Sequence, residues 1–589
     1  MIRLCAAALM FATTMTSGCA KEKIKDNTAI INTGGTTTDG ITINVSTDKA
    51  VYGPGDVVTF TVDQTLPVTA KVRYKQAGII LQDVAIPGKT WTWTAPSADF
   101  TGYMVELYGT ESGKDVIYGA IAVDVSSDPA RFPRNGFLSA FGQLNSTQIN
   151  AVMSSLNRYH MNYVQFQDWE YEHHLPLSGT VASPDAMWKD IANRDNYFAT
   201  VKGYITAAHS YNMKTLSYNL AYGALGDAAA AGVQEQWYLF DDANHATKEV
   251  IQLPQPPFKS NIYFTDPSNT GWQQYIAAKT NDVYAVFGFD GYQIDQVGNR
   301  NKTLYSYTGS TVDLPSTFAP FINAMKASAP QKRLVMNAVT QYGQPQIASA
   351  PVDFLYSEVW APNEAFSDLG NIIQSNDALG GGSKKSILAA YMDYNLAENP
   401  GYFSTPGVVL TDAVIFAFGG AHLELGDHML GKEYFPNANL AMPDDLKKAM
   451  VSYYDFLTGY ENLLRDGGTF NNIVITSASV KLNNWPPQMG QVSVIGKDMG
   501  SRQVIHLVNF TNANSLQWRD ATGTQVKPTT LTNPAFIFTS AKSVKRIWMA
   551  SPDINGGAST DISYTQTNNQ VSFNVPSLQY WDMVVVEYQ

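Results

Sequence analysis

The sequence predicts a multidomain α/β protein, with a central (β/α)8 barrel of the TIM type between an N-terminal and a C-terminal β-sandwich. Three observations predict it. Across residues 135–466 short apolar runs alternate with segments of helical period, eight times over, which is the rhythm of a closed parallel barrel. Before and after that stretch apolar and polar residues alternate at period two, the pattern of antiparallel sheets with one wet face. At 589 residues the chain is also longer than one hydrophobic core organises, so several domains are expected.

Composition fits a folded globular protein, 44% apolar and 15% charged, with 12% aromatic residues led by tyrosine. Most such rings fill cores, although rings also stack on sugar faces. A formal net charge of −12 argues against nucleic acid, which would call for a basic face, and suits a neutral polymer better.

In chain order, residues 1–18 have the grammar of export: Arg3, then an apolar stretch from Leu4 to Met15 too short to span a bilayer, then Thr16-Ser17-Gly18. Gly18-Cys19 resembles a bacterial lipobox. That implies cleavage before Cys19, acylation of its thiol, and attachment to a membrane through this anchor alone, at the cell surface or on a periplasmic face. A plain signal peptide with an incidental cysteine is the alternative. Cys5 and Cys19 are the only cysteines, so no disulfide is expected in the folded part. Residues 19–39, rich in Lys, Thr and Gly, read as a flexible tether. Short alternating runs such as Val57-Val58-Thr59-Phe60-Thr61-Val62 then predict a small antiparallel sandwich over residues 40–128, followed by a proline-marked linker.

Within the barrel the strand candidates are 163–167, 215–219, 237–240, 291–295, 334–338, 354–358, 387–392 and 421–425. Helices are expected at 146–159 with Ser146 as N-cap, and at 198–211, 272–287, 318–327 and 444–464. The Pro- and Asn-rich stretch 241–269 reads as a long loop over the site. Alternation returns over residues 469–589 and ends in Met583-Val584-Val585-Val586-Glu587, which predicts the second sandwich.

Barrels of this type hold their reactive groups at the C-terminal ends of the strands, and here those ends are acidic. Asp168 closes the first predicted strand, Asp295 the fourth and Glu358 the sixth; Asp393 closes the seventh and Glu424 lies near the end of the eighth. With Trp169, Tyr218, Tyr292, Trp360 and Tyr391 nearby, the rim has the composition of a sugar-cleaving cleft, in which two carboxyls of different pKa do the chemistry. Asp290 and Asp295 are five positions apart, so they face opposite sides of one strand and only Asp295 reaches the rim. Asp295 is the nucleophile expected here, and Glu358, set among apolar and aromatic neighbours that would raise its pKa, the proton donor. An N-cap aspartate and a helix-start glutamate are the alternative roles for the same residues. Beside Glu172, His173-His174 offers two metal ligands, but no third or fourth follows at sensible spacing, so neither a metal nor another cofactor is expected.

The ordered set Gln165-Phe166-Gln167-Asp168-Trp169, His173-His174-Leu175-Pro176, Ser217-Tyr218-Asn219-Leu220-Ala221-Tyr222-Gly223, Phe289-Asp290-Gly291-Tyr292-Gln293-Ile294-Asp295, Tyr356-Ser357-Glu358-Val359-Trp360, His422-Leu423-Glu424-Leu425-Gly426 and Glu433-Tyr434-Phe435-Pro436 resembles glycoside hydrolase family 66. These are the dextranases and cycloisomaltooligosaccharide glucanotransferases. The resemblance implies an immunoglobulin-like domain, a barrel and a C-terminal sandwich in that order. It also implies retaining endo-attack on α-1,6-glucosidic bonds of dextran, with the family's nucleophile falling on Asp295 and its acid/base on Glu358. Asp168, Trp169, His174, Tyr218, Asn219, Asn337, Asp393, Glu424 and Asp427 become candidates for holding the sugar at the cleaved bond. The cyclising transferases carry an extra module after the seventh strand, and too few residues separate Tyr391 from Ala421 to hold one, which favours hydrolysis. A non-catalytic glycan-binding lipoprotein and a transglycosylase or hydrolase of another α-glucan are the competing readings, and no obligate protein partner is evident.

Overall fold

A computed structural model describes residues 42–67 and 69–589. The export segment, Cys19, the tether and the first residues of the N-terminal sheet region lie outside them. Eight parallel strands form the central sheet: β1 Asn135–Leu138, β2 Tyr163–Phe166, β3 Lys214–Leu220, β4 Gly291–Asp295, β5 Arg333–Val339, β6 Leu355–Glu358, β7 Ser386–Ala389 and β8 Ala421–His422. The sheet closes where the Phe137 N–H donates to the Leu425 carbonyl at 3.1 Å and the Asp427 N–H to the Phe137 carbonyl at 3.2 Å. A helix follows each strand, from α1 Ser146–Arg158, α2 Phe198–Ser210, α3 Thr270–Phe287 and α4 Leu314–Ser328 to α5 Gln344–Ser349, α6 Phe366–Leu379, α7 Thr405–Ala417 and α8 Asp444–Gly459.

Four expectations about the elements are corrected. The barrel begins at β1, so Asp168 follows the second strand, and residues 237–240 are not a barrel strand. Tyr238 and Phe240 instead make isolated bridges, to Thr265 and Lys248 in the excursion between β3 and α3 and to Tyr305 after β4. Four apolar residues in a row satisfy a packed loop as well as a strand, and the sequence cannot separate the two. That excursion does not line the site cavity: its strand Ile262–Phe264 pairs with Gly223–Ala224 on one side and with its own strand Val250–Ile251 on the other. The N-cap of α1 is Asn145, not Ser146. Its side chain accepts from the Gln148 N–H while the Gln148 side chain accepts from the Asn145 N–H, both at 3.0 Å, a reciprocal cap that Ser146, one position later, cannot form.

Period two sorts the barrel strands. Gln165, Tyr218, Gln293, Asp295, Asn337, Tyr356 and Glu358 point inward, while Phe166, Tyr292, Ile294 and Ala338 pack outward among the helices. At the N-terminal end, a three-stranded sheet (Val45–Thr47, Val57–Val62, Thr90–Thr94) and a four-stranded one built on Thr101–Glu111 and Lys114–Val125 enclose Phe60, Tyr74, Trp91 and Trp93. At the C-terminal end, a seven-stranded sheet through Val492–Asp498, Arg502–Asn509 and Trp581–Tyr588 faces a four-stranded one through Ala535–Thr539 and Gln570–Asn574.

Candidate active site

Five consecutive strands converge on one pair of acids. Asp295 ends β4 and Glu358 ends β6. Between them β5 carries Asn337, level with Asp295 because Ile294 pairs with Met336, and two positions below Glu358 because Val339 pairs with Glu358. The Asn337 amide nitrogen donates one hydrogen to Asp295 Oδ1 and the other to Glu358 Oε2, both at 2.9 Å. Those two oxygens therefore lie no farther apart than twice that length.

The remaining donors come from the flanking strands. From β3, the Tyr218 hydroxyl donates to Asp295 Oδ2 at 2.7 Å, and the N–H of Gln296 donates to Oδ1 at 2.8 Å. Beyond β6 the Trp360 indole N–H donates to Glu358 Oε1 at 2.9 Å, and beyond β7 the Tyr391 hydroxyl reaches the same oxygen at 3.0 Å. Each of these donors is neutral. Burial raises the Asp295 pKa above the usual carboxylate range against the pull of those hydrogen bonds. Burial, and then the negative charge of Asp295, push Glu358 up to about 7. Oε1 already accepts two hydrogens, which leaves Oε2 the freer to carry a proton.

The pair opens into a cavity of about 480 Å³ whose lining includes Asp168, Gln296, Val339, Glu433 and Phe435. Asp168 sits at φ 51, and burial followed by the charge of Glu170 raises it to about 7.

Of the eleven binding residues expected from the sequence, Asp168, Tyr218, Asn337 and Trp360 line the cavity. The structure places the other seven elsewhere. Trp169 is fully buried against Trp188, Phe287 and Phe289. Tyr292 points outward and donates its hydroxyl to the Leu220 carbonyl at 3.0 Å, as the parity of β4 requires once Asp295 faces in. Asn219, outward on β3, ties down the loop after β2 by donating to the His173 carbonyl at 2.8 Å. His174, the next residue of that loop, is buried and accepts the Leu225 N–H at 3.3 Å. Asp393, at φ 52, accepts the Ser404 N–H at 2.8 Å. Glu424 accepts the Tyr454 hydroxyl at 2.9 Å between barrel and helices, and Asp427 accepts the Ser139 and Ala140 N–H groups at 2.9 Å where the barrel closes.

The sequence reading passed over Gln165, Gln167 and Gln293. They carry a legible signal, a polar residue at the inward parity of an otherwise apolar strand. Arg519, which also lines the cavity, has no such signal because it arrives from the C-terminal sheet region.

Two clusters have metal-ligand chemistry. Asp227 joins Glu172 and His174, a third ligand that spacing along the chain did not reveal. However, the Leu225 N–H occupies the Nδ1 lone pair of His174, so a neutral ring carries its proton on Nε2, toward Glu172, with no lone pair left for a cation. Asp412, His422 and Glu424 form the second cluster. There burial works against a charged ring, but Glu424 and Asp412 outweigh it and raise the His422 pKa. Nε2 lies 2.8 Å from the Ala390 carbonyl and Nδ1 lies 2.8 Å from Asp412, as a doubly donating imidazolium would be placed.

A barrel whose C-terminal rim brings two carboxylates together over one amide, in a polar cleft edged by aromatic rings, defines a glycoside hydrolase. The chain belongs to glycosyl hydrolase family 66, whose sequence profile matches residues 47–585. It is 28% identical to a cycloisomaltooligosaccharide glucanotransferase of Niallia circulans over 710 aligned positions, which cover 92% of this chain and 71% of that one. With a dextranase of Streptococcus salivarius the identity is 27% over 432 positions, covering 63% of this chain and 51% of the relative. Among solved structures it is similar to a Paenibacillus sp. cycloisomaltooligosaccharide glucanotransferase complexed with cycloisomaltoheptaose, with a TM-score of 0.84, 26% identity, and 92% of this chain and 99% of the other covered.

Proposed function

We propose that this protein is a retaining endo-hydrolase of α-1,6-glucosidic linkages in dextran, with Asp295 as nucleophile and Glu358 as general acid/base. The Asn337 bridge carries the reading. Retaining enzymes need carboxyls roughly 5 to 5.5 Å apart, whereas inverting ones stand them about 6.5 to 9.5 Å apart to admit a water, and a single amide reaching both acids supports the shorter class. In the first step Asp295 attacks the anomeric carbon as Glu358 gives its proton to the departing glycosidic oxygen, leaving a glucosyl ester on Asp295. In the second, Glu358, now a carboxylate, takes a proton from water, whose oxygen displaces Asp295. Neutral donors around the pair serve both halves, since they hold each oxygen without fixing the proton on one side.

The substrate class rests on the family and on the names of the dextranase and glucanotransferase relatives. Hydrolysis is favoured over cyclisation because the connection from β7 to β8 holds only a short 3-10 turn, the two-residue strand Gly401–Tyr402 and α7. Transfer to a sugar acceptor is the second reading, favoured by the glucanotransferase relatives. Dextran digestion followed by reducing-end assay and proton NMR of the first product separates them. New reducing ends that emerge as the α-anomer are expected; dextran bound but not shortened, or β-anomer first, overturns the proposal, and products without reducing ends favour the transferase. We also infer attachment to a membrane through Cys19. Radiolabelled palmitate should enter the wild type and not Cys19→Ala, and an unlabelled wild type would refute the anchor.

A further inference from the structure

After the strand Arg502–Asn509 the chain leaves the C-terminal sheets and lies against the barrel rim. Trp518 is fully buried there. Its indole N–H donates to the Asn363 carbonyl at 2.8 Å, its backbone N–H to the Glu364 carbonyl at 3.1 Å, and its own carbonyl accepts the Thr411 hydroxyl at 3.0 Å. The next residue is Arg519, only 7% exposed. Its guanidinium donates from Nη2 to the Val359 carbonyl at 2.9 Å and from Nη1 to the Tyr391 carbonyl at 3.1 Å, while its own carbonyl accepts the Asp393 N–H at 2.9 Å. The same planar head lies 4.9 Å from the centre of the Trp360 ring and 4.5 Å from that of Trp518, and Glu364 stands 3.6 Å from Nε.

Val359 lies between Glu358 and Trp360, and Tyr391 is itself a donor to Glu358. One side chain therefore fixes the backbone next to both groups that hold Glu358 Oε1. We propose that Arg519 is a positioning residue for the general acid. By joining the ends of β6 and β7 it keeps the Trp360 indole and the Tyr391 hydroxyl on Glu358, which makes the C-terminal sheet region part of the reacting machinery. The inference rests on the reading of Glu358 as acid/base. A planar fork is what spanning two carbonyls on neighbouring strands requires, and a lysine, with a single nitrogen on a flexible stem, holds one of them at a time.

The readout is dependence on the leaving group. Delivery of a proton to the departing oxygen matters when that oxygen is a sugar alkoxide and little when it is an activated phenolate, which leaves as the anion. A merely structural role would lower kcat/KM for both substrates alike. Arg519→Met keeps the bulk beneath Trp360 and removes the donors, and Arg519→Lys tests the fork. Both would be assayed on dextran and on a dinitrophenyl α-isomaltoside, with thermal unfolding measured alongside. Expected for Arg519→Met is a loss on the order of 10²-fold in kcat/KM on dextran and less than about threefold on the aryl substrate, with Arg519→Lys between it and wild type. Equal losses on both substrates, or none on either, overturn the proposal. Glu358→Gln on the same pair keeps the two readings apart: if it too loses equally on both substrates, the acid/base assignment fails, whereas dependence on the leaving group in Glu358→Gln and not in Arg519→Met sinks only the positioning role.

Discussion

The two ends of this barrel bury carboxylates in opposite ways. At the N-terminal face Asp455, on α8, accepts two hydrogen bonds from Arg158 at 2.8 and 3.0 Å, lies 2.7 Å from His160 Nε2 and accepts the Ala122 N–H of the N-terminal sheets at 3.0 Å. At the C-terminal face Asp295 and Glu358 are held by two tyrosines, an indole, an amide and a backbone N–H. Burial works to raise the pKa of every one of these acids. Around Asp455 the Arg158 guanidinium and the hydrogen bond to His160 outweigh burial and the net shift is down; around Glu358 the nearest charge is another carboxylate and the pKa climbs to about 7. The partner, more than depth, decides whether a buried acid is a fixed charge that joins domains or a group that can give up its proton near neutral pH.

The strongest way to break that comparison is at the reacting pair. Asp295→Asn should lower kcat on dextran by about 10⁴-fold or more while leaving the unfolding midpoint near that of wild type; a residual activity above about 1% would remove Asp295 from the nucleophile's role. At the other face Arg158→Met leaves Asp455 with His160 and backbone alone. It should cost about 3 to 5 kcal/mol of stability with kcat unchanged, read by denaturant unfolding. If activity fell and stability held, the two faces would not be separable in this way. Between those extremes lies the pH profile. Because Glu358 must carry its proton at about 7, kcat/KM should fall roughly tenfold per unit on the alkaline side of that value, a limb that Glu358→Gln abolishes.

How much of this was legible in the sequence follows from which forces are local. An apolar run ending in an acid marks a barrel strand with a residue at its rim, so Asp295 and Glu358 stand out from the sequence alone. The first strand, Asn135–Leu138, did not, because four residues beside a proline-rich linker hold too short a run for a period to register. Seven of the expected binding residues were assigned by nearness in sequence to the right motifs, and strand parity or loop packing turned them elsewhere. Tyr292 sits one position from the inward Gln293, and Asn219 one from the inward Tyr218. Arg519 depends on a contact between segments more than 100 residues apart, between the chain after one sheet domain and the ends of two barrel strands, and nothing in its own neighbourhood encodes that.

The smallest effect tests the comparison most sharply, because it predicts opposite signs. Asp455 has a folded pKa below that of the unfolded chain, so its charge adds stability above the unfolded value of about 3.9 and that contribution is lost as pH falls through the folded value. Glu358 has a folded pKa raised to about 7 from an unfolded value of about 4.3; its contribution is intact below about 4.3, is lost as pH rises toward 7, and leaves a constant penalty above that. The neutral isostere Glu358→Gln escapes the penalty. It should be more stable than wild type at pH 8, by at most about 4 kcal/mol and by less where cavity water screens the charge, and the gain should nearly vanish at pH 4. Asp455→Asn should instead be less stable than wild type at pH 8, with the deficit shrinking on acidification. Unfolding midpoints decide the matter, at pH 4 and pH 8 for Glu358→Gln, and at pH 8 and below about pH 3 for Asp455→Asn. If Glu358→Gln gains nothing at pH 8, the acid is not held at a cost to the fold, and the contrast between a face built for stability and a face built for proton transfer would have to be drawn on other grounds.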